Sequence, residues 1–276
     1  MTAVDQPETR HEPVLVITRP RSDIGDDVRE QALRAAGVVL RPFPLIRILP
    51  PAIPGPALHA LARLAEFDLA VPVSPAAVQS SLAMRQGLWP ATCAVGLVGP
   101  GSRVAFEQVL RARGQSPASL RIVSAPVEAA DSEGLWAALQ TLRTGAWAGV
   151  RVLILRGGNG RDWLTDALQA AGAVVERVDV YRRAPPDPDP ATLGVLRDLL
   201  DTHAVWLLTA SEGVRNLRDL LAATGTDACK LLASQRALAT HSRIAEAARQ
   251  TGFGRVEVCA PGNEAIVAAL RGNPAA

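Results

Sequence analysis

The chain has 276 residues, 48% of them apolar and 20% charged, with a formal net charge of +2. That length is roughly twice the commonest domain size of ~100–150 residues, so two domains with sizeable cores are expected. The composition excludes a mainly disordered chain, a collagen and a disulfide scaffold, and the small charge excludes nucleic-acid capture by bulk attraction.

In chain order, Met1 to Glu12 is polar, carries Asp5, Glu8 and Glu12, and lacks an apolar h-region. It reads as a flexible tail rather than a signal peptide. Val14-Leu-Val-Ile17 is a short continuous apolar run, the pattern of a buried parallel strand. Asp26 to Ala36 has helical spacing, Gly37 sits where a C-cap glycine belongs, and Val38-Val39-Leu40 reads as the next strand. The same pattern returns at Val152-Leu-Ile-Leu155, then an Arg156-Gly-Gly-Asn-Gly160 turn, a helix from Asp162 to Ala171, Gly172, and a strand from Val174 to Tyr181.

Two more blocks recur. Ala70-Val-Pro-Val-Ser-Pro-Ala-Ala-Val78 echoes Trp206-Leu-Leu-Thr-Ala-Ser-Glu-Gly-Val214. Ser102-Arg-Val-Ala105 echoes Ser242-Arg-Ile-Ala245, each opening a helix that ends near a glycine, Gly114 or Gly252. The repeat, at an offset of about 135–138 residues, predicts two similar α/β domains, each a parallel sheet flanked by helices.

Ten of the 21 prolines fall in Pro42–Pro56 and Pro185–Pro190, marking two linkers. The short N-terminal piece cannot build a core alone, so it should join the C-terminal piece. The expected organisation is a tail at 1–12, a discontinuous domain of 13–41 plus 187–276, and an inserted domain of 42–186, joined by two strands.

Several features are weighed for chemistry. Cys93, Cys229 and Cys259 are widely spaced, and His11, His59, His203 and His241 share no metal spacing, so no metal site is predicted. The absence of paired cysteines fits a reduced, cytoplasmic protein, and no apolar run reaches the ~20 residues of a spanning helix. Arg156 to Arg161 is a glycine turn that could present backbone N–H groups to an anion, but it matches neither common phosphate fingerprint. Thr18, Ser74, Ser102, Thr209, Ser211 and Ser242 lie just past strands or at helix starts, where each could cap a helix. Together they ring the carboxyl ends of two sheets, where open α/β folds bind ligands, and a polyanion is the natural guest. Tyr181 is the single tyrosine, at a strand end beside a linker. Only Lys230 among the 29 cationic residues is a lysine; genome composition produces such a skew, and so does selection for carboxylate-binding forks.

At these blocks the sequence resembles the uroporphyrinogen-III synthase family. The matching pieces are Val16-Ile-Thr-Arg-Pro20, Val73-Ser-Pro-Ala-Ala-Val78, Val98-Gly-Pro-Gly-Ser-Arg103, Leu153-Ile-Leu-Arg-Gly157, Val180-Tyr-Arg-Arg183, Thr209-Ala-Ser-Glu-Gly-Val214, and Ser242 to Arg249 with Gly252-Phe253. Single motifs are weak; their order and spacing from about Val14 to Leu270 carry the resemblance. It implies a two-domain HemD-like fold with a two-stranded linker. It also implies a reaction: closure of hydroxymethylbilane, a linear tetrapyrrole octacarboxylate, with inversion of ring D and loss of water. No metal or organic cofactor is implied.

In that family Tyr181 corresponds to a tyrosine that helps the hydroxyl leave as a general acid. Ser102 stands where the family often has Thr. Ala210 departs from a frequent Ser, leaving Thr209 and Ser211 as neighbours that could serve. The expected substrate-binding set is Thr18, Arg19, Pro20, Ser74, Ser102, Arg103, Arg156, Gly157, Thr209, Ser211, Ser242 and Arg243, with Arg161 a further cleft-edge arginine. A monomer with no nucleic-acid or membrane partner is expected. The competing readings are a two-lobed α/β small-molecule binder or regulator without catalysis, and a nucleotide-dependent transferase. The latter would want a cleaner phosphate loop and a metal-binding acid, for which only Asp179 offers itself.

Overall fold

The computed structural model describes residues 13–20, 28–142, 146–158, 162–202, 204–225, 227–260 and 262–272. In chain order the elements are β1 (Val14–Ile17), α1 (Val28–Ala35), β2 (Val39–Pro42), β3 (Arg47–Leu49), α2 (Gly55–Ala62), β4 (Leu69–Pro72), α3 (Pro75–Met84), β5 (Ala94–Leu97) and α4 (Pro100–Ala112). There follow β6 (Ile122–Ser124), α5 (Ser132–Leu142), β7 (Arg151–Gly157), α6 (Trp163–Ala170), β8 (Val174–Ala184) and α7 (Pro190–Leu200). The chain then continues through β9 (Val205–Leu208), α8 (Ser211–Ala222), α9 (Ala228–Leu232), β10 (Arg236–Ala239), α10 (Ser242–Thr251), β11 (Arg255–Val258) and α11 (Asn263–Leu270).

The chain packs as two compact units, Met1–Arg47 with Ala184–Ala276, and Ile48–Arg183. The first holds a sheet in the order β11-β10-β9-β1-β2, the second a sheet in the order β3-β8-β7-β4-β5-β6. β1 runs parallel to β2 and β9, and β10 to β9 and β11. β4 likewise runs parallel to β5 and β7, β5 to β6, and β7 to β8. Both units therefore share one strand order, β2-β1-β9-β10-β11 against β8-β7-β4-β5-β6, with β3 added at the second sheet's edge. The architecture is the expected α/β one, with parallel sheets flanked by helices.

The continuous apolar strands are explained by burial on both faces. In the first unit Val16, Trp206, Leu208, Ala237 and Ala239 enter one core with Leu217 of α8 and Ala248 of α10. Alternate residues Leu15, Ile17, Val205, Leu207 and Leu238 enter another with Leu33 of α1 and Ile266 of α11. In the second unit Leu69, Val71, Val152 and Ile154 pack with Leu135 of α5 and Leu164 of α6. Leu153 and Leu155 are buried on the opposite face, on which α3 packs.

The first of the expected linkers is structured, whereas residues 185–189 of the second form neither helix nor strand. The Phe43 N–H donates to the Ile17 carbonyl at 2.9 Å, and the Leu45 N–H to the Thr18 carbonyl at 2.9 Å. Both side chains are buried in the first unit's core, Phe43 edge-on to Trp206 at 6.0 Å. Prolines there interrupt helix but not extended backbone, so the segment extends the line of β2 instead of leaving the unit at residue 42. The unit boundary falls after Arg47, where β3 begins. At the other end β8 carries its sheet to Ala184, past the Tyr181 expected from the apolar pattern.

Candidate active site

The polar residues that the sequence singles out in the second unit gather at the carboxyl end of its sheet. β7 and β8 pair in simple register as far as Arg156 with Asp179; the next pair is Gly157 with Tyr181, so Val180 is an extra residue in β8. A bulge of this kind bends a strand and re-aims a side chain. Here it lays the Tyr181 ring across the Gly157 backbone. A Cβ placed on Gly157 would stand 2.2 Å from Cζ, 2.3 Å from Cε2 and 2.5 Å from Cε1 of that ring. Glycine is required by close approach. The ring is 3% exposed.

The phenol oxygen of Tyr181 lies 3.3 Å from Ser74 Oγ. Ser74 is the N-cap of α3, with extended backbone, and its Oγ accepts the Ala77 N–H at 3.1 Å. Pro75 follows at the first helical position, where its missing N–H costs nothing. A serine hydroxyl has one proton and two lone pairs. With one lone pair taken by Ala77, Ser74 retains a proton to donate to Tyr181 or a lone pair to accept from it.

The turn's backbone N–H groups at residues 159–161 lie outside the described residues, and Arg156 bonds to residues on either side of them. Its Nε and Nη2 donate to the Gly158 carbonyl at 3.0 and 2.6 Å, Nη1 pairs with Asp162, and Nε stands 3.9 Å from Asp179. The hydrogen bond from Arg156 holds the Asp162 carboxyl below its ordinary range, with Arg177 at 3.0 Å adding to the effect. Arg161 lies outside the described residues.

Among the described residues, Ser74 alone of the six expected caps makes a cap bond. Ser102 sits inside the first turn of α4, 3% exposed, because Gly99 is the N-cap and Pro100 starts the helix. Its neighbour Arg103 pairs with Glu107 at 2.9 Å and reaches Ser124 Oγ at 3.5 Å. In the first unit Thr18 is buried and donates to the Leu207 carbonyl at 2.5 Å, tying the end of β1 to β9. Arg19 pairs with Glu30 at 3.0 Å, and Pro20 beside it is partly exposed. Ser211 and Ser242 are first helical residues rather than caps, Ala210 and His241 holding the cap positions. Ala210 offers no side-chain bond, Thr209 before it is exposed, and His241 Nδ1 accepts the Arg243 N–H at 3.1 Å. The side chains of Ser242 and Arg243 are exposed, and no ion pair to Arg243 occurs among the described residues.

A separate groove of about 460 Å³ lies on the first unit, lined by Phe43, Pro44, Arg47, Pro186, Asp187 and Val195 among others. Arg47 and Asp187 form an ion pair there. None of the expected site residues lines it. Among the described residues no three or more His, Cys, Asp or Glu side chains group as a metal site, and no helix is long and apolar enough to cross a membrane.

Two partnerships carry no signal in the sequence pattern, Ser74 with Tyr181 and His241 as a cap. Pro100 was a usable signal for the start of α4, since proline favours the first helical position.

Against known proteins, the family model described as uroporphyrinogen-III synthase HemD matches residues 26–268. Uroporphyrinogen-III synthase of Synechococcus elongatus is 32% identical over 234 residues, covering 82% of this chain and 82% of that protein. The Escherichia coli protein of the same name is 27% identical over 261 residues, 93% of this chain and 99% of that one. The crystal structure of uroporphyrinogen-III synthetase from Helicobacter pylori is 12% identical, covers 95% of this chain and 99% of that one, and aligns with a TM-score of 0.48.

Proposed function

The chain belongs to the uroporphyrinogen-III synthase family, a family of cyclising lyases of tetrapyrrole synthesis, and from that premise we propose that Tyr181 protonates the hydroxyl that hydroxymethylbilane loses. The observation that carries this reading is the buried phenol with its oxygen against Ser74 at the carboxyl end of the second unit's sheet.

The chemistry asks little of the protein in reactive groups. The pyrrole nitrogen's lone pair drives out the hydroxyl, the C–O pair leaves with oxygen, and the phenol proton completes a water molecule. The resulting azafulvene is attacked by the substituted α-carbon of ring D, giving a spiro intermediate that reopens and recloses with ring D inverted. The proton shed at the free α-carbon of ring D restores the phenol, so the balance is loss of one water. A substrate that can expel its own leaving group needs no cofactor; it needs one folded geometry, and positioning lowers such a barrier substantially.

Eight carboxylates are held, in this reading, by local groups. The exposed Arg243, the hydroxyls of Thr209, Ser211 and Ser242, and the N-terminal N–H groups of α8 and α10 support that role. Arg19, Arg103 and Arg156 already pair with protein carboxylates, so any contact they make with substrate is an exchange of partners. The reading carries with it a cytoplasmic monomer, and light scattering checks the monomer.

The test supplies freshly made hydroxymethylbilane. The type III isomer is expected to exceed type I, and only type I at the enzyme-free rate would end the proposal. Tyr181→Phe is expected to lower kcat by about 10²–10⁴-fold, the usual share of a general acid. Full turnover in that variant would remove Tyr181 from the chemistry.

A further inference from the structure

Donating a proton leaves Tyr181 with an anion on a side chain that is only 3% exposed, and such a charge is costly unless a donor meets it. The group at hand is Ser74. One of its two lone pairs accepts the Ala77 N–H, which leaves the other to accept from the phenol and its proton to turn toward the phenol oxygen. It also stands at the N-terminus of α3, Pro75–Met84, where the helix dipole favours negative charge. On the other side the ring rests on Gly157, where no side chain could be fitted without moving it. Ring and oxygen are thus fixed by two different elements, β7 and the α3 cap.

We propose that Ser74 and Gly157 are positioning residues for Tyr181: Gly157 is the floor that sets the ring's place, and Ser74 receives the phenol proton's hydrogen bond in the resting state and reverses it to donate to the phenolate. The proposal rests on the general-acid reading of Tyr181. The reversal needs only rotation of the two hydroxyls: the phenol O–H turns from Ser74 to the departing oxygen and gives up its proton to form water, and the Ser74 O–H turns to donate to the phenolate left behind. When ring closure returns a proton to Tyr181, the hydroxyl turns back.

Three variants test it in the full-length protein. Ser74→Gly removes the hydroxyl while glycine still serves as an N-cap almost as well. It is expected to lower kcat by about 10–100-fold with KM nearly unchanged, since lost donors to a developing oxyanion cost at most ~10²–10³. Ser74→Thr keeps the hydroxyl and the cap and is expected to recover most of the turnover. Gly157→Ala is expected to lower kcat at least as much as Ser74→Gly.

A readout that a merely structural role would not move is available because Tyr181 is the chain's single tyrosine. Protein labelled with ¹³C at tyrosine Cζ gives one resonance. It should shift in Ser74→Gly, return in Ser74→Thr and shift in Gly157→Ala. If Ser74→Gly keeps wild-type kcat and resonance while Tyr181→Phe is inactive, the positioning proposal is overturned and the general acid stands. If Tyr181→Phe keeps full turnover, the general-acid reading falls and takes this proposal with it. Should Gly157→Ala fail to fold, the Ser74 pair still decides.

Discussion

The two units share a strand order but end their strands in different chemistry. By the repeated blocks, Ser74 of the second unit stands where the first has Ala210, and both hold the cap position of the helix that follows. By the ladder, Leu155 faces Val178 in one sheet and Ile17 faces Pro42 in the other. An equal step beyond those pairs leads to Tyr181 in the second unit and Leu45 in the first. Tyr181 lies on Gly157 with its oxygen at Ser74; Leu45 is fully buried against Gly213. One frame thus carries a polar clamp in one unit and an apolar plug in the other. At α8 of the first unit the cap residue makes no side-chain hydrogen bond, whereas at α3 of the second the cap accepts the Ala77 N–H and lies against the phenol oxygen.

The comparison can be broken at its apolar side first. Leu45→Ala is expected to destabilise the protein by about 2–5 kcal/mol, as buried leucine truncations do, while a Tyr181→Phe protein should unfold close to wild type. Chemical denaturation of the two variants decides; a Leu45→Ala loss below 1 kcal/mol would show that the position is not a core plug. Arg243→Ala comes next, with KM expected to rise about 5–10-fold and kcat held, the loss of one charge-assisted contact of ~1–1.5 kcal/mol. Steady-state kinetics measure it, and an unchanged KM would remove Arg243 from the binding face.

Ala210→Ser sharpens the contrast by giving α8 the cap that α3 has. It is expected to raise stability by about 0.5–1 kcal/mol and, if α8 holds a substrate carboxylate as proposed, to weaken substrate binding, because the new oxygen would compete for the same N–H. The smallest effect per residue is acid sensitivity, and both units should share it. Glu257 is held below its ordinary value of 4.5 by the hydrogen bond from Arg236, against the opposing effect of burial. For Glu107 burial pushes up, and the bonds from Arg103 and Arg111 outweigh it. A depressed carboxyl contributes stability that is present above its unfolded-state value and is lost as pH falls through the folded one. Thermal midpoints should therefore hold from pH 7 to about 5 and fall below that, and a flat profile to pH 3 would contradict these pairs.

Much of this frame is legible in the chain. Val14–Ile17 and Val152–Leu155 announce buried parallel strands because both faces are apolar, and Gly37, Gly172 and Gly252 mark helix ends by the positive φ each adopts. Tyr181 stands out as the only tyrosine. The partnership of Tyr181 with Ser74 spans 107 residues, and no periodicity encodes a contact that a bulge in β8 creates. Caps are hard to read from sequence for a related reason: a hydroxyl near a helix start is a cap only when its own backbone is extended, as at Ser74, and Ser102 is already helical. The composition of the proline-rich stretch points to a linker, whereas Phe43 and Leu45 within it obey burial.

The Arg47–Asp187 ion pair fastens together the points where the chain departs the first unit and comes back to it. Such a clasp makes the first unit a host and the second a guest. A brief splice from Arg47 to Ala184 would shut the gap and leave β11-β10-β9-β1-β2 unbroken, and the same two ends form a ready socket into which a foreign domain could be grafted.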